Sequence, residues 1–167
     1  MVNAVIYSSL TGSCERYANL ISAALHVPAK PLGDYVRPDG QVLYIGWAFA
    51  GKIVGYKKAA AKYDVTAVVQ VGMAGGGDNS AETARAQNSI PACIKVFSLQ
   101  GGFYMDRLPL LLRLIMKLKN KEIAAGLKKK ASLNPREQAL LTMATTGSGD
   151  PASWDVSEII AWCRDGE

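Results

Sequence analysis

The chain reads as a three-layer α/β sandwich built on an open parallel sheet, and three observations predict it. Residues 2–7, 41–46, 66–72 and 92–99 are short, β-branched and almost continuously apolar, which is how strands buried on both faces read. Helical patterns alternate with them, and right-handed crossovers then stack helices on both sides of a parallel sheet. Size agrees: 167 residues, 49% hydrophobic and 20% charged, bury a full core without staples, which excludes disorder, collagen and a disulfide miniprotein.

After the first strand, apolar or small residues at Tyr17, Ala18, Ile21, Ala24 and Leu25 predict a helix over 14–25. Residues 29–32 read as a short strand, and Pro31 confines it to an edge because proline has no N–H for a ladder. Strand 41–46 follows, then an alanine- and lysine-rich helix over 52–63, strand 66–72, a helix over 80–88 and strand 92–99. The pattern changes at residue 105, where a long leucine- and lysine-rich segment runs to 130. Asn134-Pro135-Arg136-Glu137 then opens a short helix to about residue 144. A turn over 146–151 leads into a closing helix over 153–164, whose Trp154, Val156, Ile159, Ile160, Trp162 and Cys163 pack on a sheet. The expectation is a single domain, 1–167, with a helical excursion over 105–145. Connections are usually ~2 to 6 residues, and long decorations tend to carry specificity.

The balance of 19 Lys+Arg against 14 Asp+Glu gives +5, so an anionic ligand, a membrane surface or an acidic partner is expected. The excess is concentrated: Arg107, Arg113, Lys117, Lys119, Lys121, Lys128, Lys129 and Lys130 stand against Asp106 and Glu122. Cys14, Cys93 and Cys163 are odd in number, lack metal-type spacing and follow no secretory signal, so free thiols in a reducing cytoplasm are expected. His26 alone builds no zinc set and reads as a helix C-terminal dipole partner. Residues 108–116 are interrupted by Arg113 and too short to span a bilayer. Asp78, Asp106 and Asp150 have no partner that spacing assigns.

The strongest chemical signal is the loop Ser8-Ser9-Leu10-Thr11-Gly12-Ser13-Cys14, which joins the first strand to the first helix. Backbone N–H groups at a helix start, with several hydroxyls, make a phosphate cradle that needs no cation. The same residues also serve as helix caps. Their place at the end of a strand in an open sheet, where ligands bind, favours the cradle. Other phosphate folds lack their residues. Gly51-Lys52-Ile53 has no hydroxyl for a P-loop metal, and Gly12 alone makes no dinucleotide fingerprint. A receiver domain needs acids where Tyr7-Ser8 and Trp47 stand, and Cys14-Glu15-Arg16 has the wrong spacing for a low-mass phosphatase.

Ser9-Leu10-Thr11-Gly12-Ser13-Cys14 resembles the flavodoxin phosphate loop, T/S-x-T-G-x-T, with Cys14 replacing the final hydroxyl residue. The resemblance implies a flavodoxin-like fold with five parallel strands in the order 2-1-3-4-5 and a helical insertion after strand 5. It implies FMN as cofactor, its phosphate wrapped by Ser9, Leu10, Thr11, Gly12, Ser13 and Cys14. An isoalloxazine ring needs an apolar or aromatic face and close backbone approach. Trp47, Ala48 and Phe49 are the candidates for the first, and Gly72, Met73, Ala74, Gly75 and Gly76 for the second. For Cys14, a structural residue is weighed against a redox-active thiol at a helix N-terminus.

Leu99-Gln100-Gly101-Gly102-Phe103-Tyr104, residues 108–121 and Asn134-Pro135-Arg136-Glu137 resemble the ending of the quinone-dependent protoporphyrinogen dehydrogenase subgroup and related short flavodoxin-domain proteins. The expected function is an FMN-dependent redox protein, either an electron carrier or a small oxidoreductase, with no side chain required to be catalytic. One alternative is a protoporphyrinogen dehydrogenase-type enzyme passing electrons to a quinone. Another is a non-flavin binding or regulatory module on the same fold. The expected partner is a redox protein or a quinone- or porphyrin-type small molecule. Nucleic acid is not expected, because no aromatics interleave the basic residues. Leu108, Leu111, Leu112, Ile115, Met116 and Leu118 leave two readings for residues 107–130. Either the leucines pack on the domain and the lysines face water, or the segment lies peripherally on the inner face of an anionic membrane.

Overall fold

Continuous apolar runs need cover on both faces, and the arrangement of the chain supplies it. The computed structural model describes residues 1–34, 40–75 and 79–165. In order the elements are β1 (Val2–Ser8), α1 (Ser13–Leu25), β2 (Ala29–Pro31), β3 (Gln41–Phe49), β4 (Lys52–Ile53), α2 (Tyr56–Lys62), β5 (Asp64–Gly72), α3 (Ser80–Asn88) and β6 (Lys95–Gln100). There follow β7 (Phe103–Tyr104), a 3-10 turn (Met105–Arg107), α4 (Leu110–Leu127), α5 (Pro135–Thr146), β8 (Ser148–Gly149) and α6 (Ser157–Asp165). The main path through the sheet is β2-β1-β3-β5-β6, all parallel, which makes the molecule a flavodoxin-like three-layer sandwich with a helical insertion after the last of these strands. Pro31 stands on the edge strand, as its missing N–H requires.

Successive strand residues point to opposite faces, so Val5 and Ile6, both fully buried, enter different cores. Val5 packs with Tyr17 and Ile21 of α1 and with Ile159 and Cys163 of α6. Ile6 packs with Tyr44, with Ala59 of α2 and with Ala84 of α3. A third, smaller core joins Phe103, Leu108 and Met143 to Leu10 and Met73, fastening the excursion to the open end of the sheet.

Three boundaries differ from the sequence expectation, each for a tertiary reason. The helix expected over 52–63 starts at Tyr56, because β3 continues to Phe49, turns through Ala50 (φ 48°) and Gly51 (φ 78°), and returns as antiparallel β4. Buried Asn88, at the end of α3, holds that hairpin: its amide donates to the Gly51 carbonyl at 3.0 Å and its Oδ1 accepts from the Ile53 N–H at 2.8 Å. The strand expected over 92–99 starts at Lys95, since Ile94 N–H closes a turn on the Pro91 carbonyl. The closing helix starts at Ser157, where the Asp155 carboxylate accepts the Ser157 N–H, leaving Trp154 outside the helix to pack on Tyr17 at 4.8 Å between ring centroids.

The leucine- and lysine-rich segment over 105–130 forms the 3-10 turn and α4, and a two-stranded sheet, β7 with β8, closes the excursion at its base. α5 begins with a reciprocal cap, in which the Asn134 side chain accepts the Glu137 N–H and the Glu137 carboxylate accepts the Asn134 N–H. The leucines of α4 do not all pack on the domain. Leu112 and Met116 face the third core, whereas Leu110, Leu111, Leu114 and Leu118 are exposed.

Gln100 ties the sheet to the excursion. Its buried amide donates to the Met73 and Arg136 carbonyls, each at 2.9 Å, and its Oε1 accepts the Ala152 N–H at 3.0 Å. Replacing it with Leu leaves three backbone groups unpaired, at roughly 1–3 kcal/mol each where water is excluded. Gln100→Leu is therefore expected to lower the unfolding free energy by about 3 kcal/mol or more in urea titration. Asn120 is the opposite case: it is 3% exposed and neither side-chain polar atom has a hydrogen-bond partner among the described residues. Asn120→Leu, which keeps the number and branching of the side chain's heavy atoms, is expected to raise the urea midpoint and add about 1 kcal/mol of stability.

Candidate functional site

Four chain reversals meet at the C-terminal edge of the sheet, after β1, β3, β5 and β6, where open parallel sheets bind ligands. They line an open cleft of about 600 Å³, counting the solvent space at its mouth. Its first wall is Ser9, Leu10, Thr11, Ser13 and Cys14, and its second is Trp47, Ala48 and Phe49 at the end of β3. Val71, Gly72 and Met73 with Gly101, Gly102 and Phe103 make the floor, while Leu108, Leu112 and Met116 cover it from the excursion. Trp47 and Phe49 share one face of β3 as alternate strand residues, with ring centroids 5.9 Å apart.

The loop after β1 is shaped by its own side chains. Gly12 turns the chain into α1 at φ 103°, and its N–H donates to Ser9 Oγ at 3.2 Å. With glycine at the cap position, no side-chain cap hydrogen bond forms at the first helical turn among the described residues. A helix start without a side-chain cap leaves donors for an anion, with the helix dipole favouring negative charge. The Ser13 hydroxyl is engaged, donating to the Gly102 carbonyl at 3.1 Å and locking the first loop to the last. The Thr11 hydroxyl has no hydrogen-bond partner among the described residues and lines the cleft.

A cation does reach this loop, although the loop itself contains none. Arg107, on the 3-10 turn, donates from Nη1 to the Thr11 carbonyl at 2.8 Å, and its guanidinium lies 4.4 Å from the Tyr104 ring centre. Tyr104 in turn donates to the Asp150 carboxylate, the partner that spacing alone did not assign. Arg107 is thereby steered from the base of the excursion onto the rim of the cradle. Cys14 is 1% exposed, and burial pushes its thiol up to about 12, so it is the structural residue rather than a reactive thiol.

Most of the residues expected from the sequence come together here. Gly12, Ala74 and Gly75 are not among the cleft's lining residues, and Gly76, with Gly77 and Asp78, lies outside the described residues. Gly75 folds back so that its N–H donates to the Gly72 carbonyl at 3.0 Å, and a Cβ there would strike the Leu99 carbonyl. Trp47, Ala48 and Phe49 belong to a strand rather than a loop. Sequence reasoning missed Gly101, Gly102 and Phe103, although the rule that selects the loops after the other strands applies equally after residue 100. Leu108, Leu112 and Met116 recur at every fourth residue, but only the fold-back of α4 shows that this row covers a cleft.

Among the described residues no cluster of three or more His, Cys, Asp or Glu could hold a metal, and no helix is long and apolar enough to cross a membrane. Comparison with known proteins finds no match, whether to a family model, a curated protein or a solved structure. The site is defined by its own geometry: an anion-ready loop beside an apolar, aromatic-walled cleft.

The thiols give a direct check. A disulfide exchange reagent at pH 8 is expected to label exposed Cys93 alone in the native protein, with buried Cys14 and Cys163 reacting only after unfolding, read as absorbance released per chain.

Proposed function

We propose that the protein is an FMN-binding, flavodoxin-like redox protein. The observation that carries the reading is the pairing, in one cleft, of an uncapped helix N-terminus with two aromatic side chains. The first suits a terminal phosphate and the second a flat heteroaromatic ring. The residues fit the group. Thr11 and the backbone of Ser13 and Cys14 would hold the phosphate, with Arg107 at the rim. Trp47 and Phe49 would face the ring from one wall, and Gly72, Met73, Gly101 and Gly102 would offer backbone groups along its edge. Bound FMN supplies one- and two-electron transfer, while the chain contributes position, a dry apolar wall and electrostatics.

Within that reading, a small oxidoreductase acting on a flat aromatic or quinone-type substrate is favoured over a bare electron carrier. The support is the cover of Leu108, Leu112 and Met116, which makes the mouth of the cleft apolar and suited to such a molecule. A protoporphyrinogen-type reductant with a quinone acceptor is the form suggested by resemblance. A protein electron acceptor remains the carrier form of the same reading. Three unpaired cysteines agree with a reducing, cytoplasmic setting.

The experiment is an absorption spectrum of the purified protein, followed by titration with FMN and, separately, with riboflavin. Saturable FMN binding with a perturbed flavin band is expected; a colourless protein that takes up no added FMN leaves the non-flavin binding module instead. Arg107→Ala is expected to weaken FMN about ten- to hundredfold while changing riboflavin affinity little, because a charge-assisted contact to phosphate is worth about 1.5–3 kcal/mol. Reoxidation of the reduced holoprotein by a soluble quinone supports the oxidoreductase, and reoxidation by protein acceptors alone supports the carrier.

A further inference from the structure

We propose that the outer face of α4 is a docking surface for an anionic lipid bilayer. Leu110, Leu111, Leu114, Ile115 and Leu118 are 80%, 70%, 62%, 39% and 64% exposed. Their spacing, i, i+1, i+4, i+5, i+8, gathers them into one continuous stripe on the side of the helix away from Leu112, Met116 and Leu127. Apart from Met1 and Leu20, these are the large apolar side chains that the described residues leave exposed. A contiguous stripe of this kind marks an interaction surface, whereas scattered single residues do not.

Charge selects the occupant. Lys117 and Lys121 border the stripe on one side and Lys119 on the other, all exposed, and Lys128, Lys129 and Lys130 stand beyond its end. The acids facing this segment are few: Glu122 lies 3.6 Å from Lys119, and Glu137 of α5 is paired with Lys130. A second copy of the helix would bring the same lysine rows against one another along the seam, which like charge disfavours. An anionic surface instead accepts the lysines while the leucines enter the boundary between headgroups and acyl chains.

The inference deepens the redox reading and rests on it for its purpose. The same helix covers the cleft with Leu112 and Met116 on its opposite face, so docking would bring the cover of the cleft to the bilayer, where an apolar electron acceptor dissolves. Lipid binding itself needs no flavin.

The full chain is to be sedimented with vesicles of phosphatidylcholine alone and of equimolar phosphatidylcholine and phosphatidylglycerol. Binding at least about tenfold tighter to the anionic vesicles, weakened by salt, is expected. Leu111→Ser/Leu114→Ser/Leu118→Ser is expected to abolish vesicle binding, and Lys117→Gln/Lys121→Gln to remove the anionic preference. The substituted positions are exposed and outside the cleft lining, so thermal melts and FMN titrations of both variants should match the parent. Equal recovery of the parent with both vesicles, no recovery with either, or a dimer in light scattering that the triple serine variant dissociates would each overturn the proposal. Sedimentation reads docking and the flavin spectrum reads the redox assignment, so the two fail separately.

Discussion

The open end of this sandwich depends on one buried amide. Gln100 stands where the last sheet strand ends, and its side chain binds the Met73 carbonyl after β5, the Arg136 carbonyl at the start of α5 and the Ala152 N–H before α6. Its backbone carbonyl accepts the Tyr17 hydroxyl at 2.7 Å, which adds α1. A buried amide is costly unless every polar atom finds a partner, and here both ends of the side chain do. The consequence is positional: loops that are far apart in sequence are held in a fixed relation around the cleft.

That relation turns an ordinary helix start into a composite site. The sheet contributes the loop after β1 and the aromatics of β3, while the excursion contributes Arg107 and the apolar cover. Two small features make the join. The β7–β8 pair fixes the base of the excursion, and the Ser13 hydroxyl on the Gly102 carbonyl closes the first loop onto the last. Arg107, stacked on Tyr104, occupies the rim without entering the cleft lining. Positive charge therefore stands beside the loop after β1 and outside the cleft lining.

The excursion is also where stability and exposure are in tension. Its helix buries Asn120 without partners among the described residues on one side and displays leucines on the other. Both features are unfavourable for an isolated domain in water, one through desolvation and one through exposed apolar area. Contact of α4 with a surface that takes the leucines, as proposed above, removes the second cost and leaves the first.

The edge position of Pro31, the alternation of strands with helices and the place of the candidate site at the loop after β1 were legible in the sequence because they follow from local signals, whereas the strand order came from the resemblance of that loop. Continuous apolar runs demand two covered faces, proline cannot join a ladder, and glycine among hydroxyl residues marks a helix start. The Trp47 and Gly72 segments were legible as a location, through the rule that ligands sit at strand ends. What escaped was set by partners distant in the chain. Asn88 makes a hairpin of Lys52–Ile53, Arg107 reaches Thr11 across the fold, and α4 exposes one leucine row while turning another onto the cleft. Periodicity shows that a helix has an apolar side but not what that side meets, since burial is a property of the packed pair and only the tertiary structure brings the pair together.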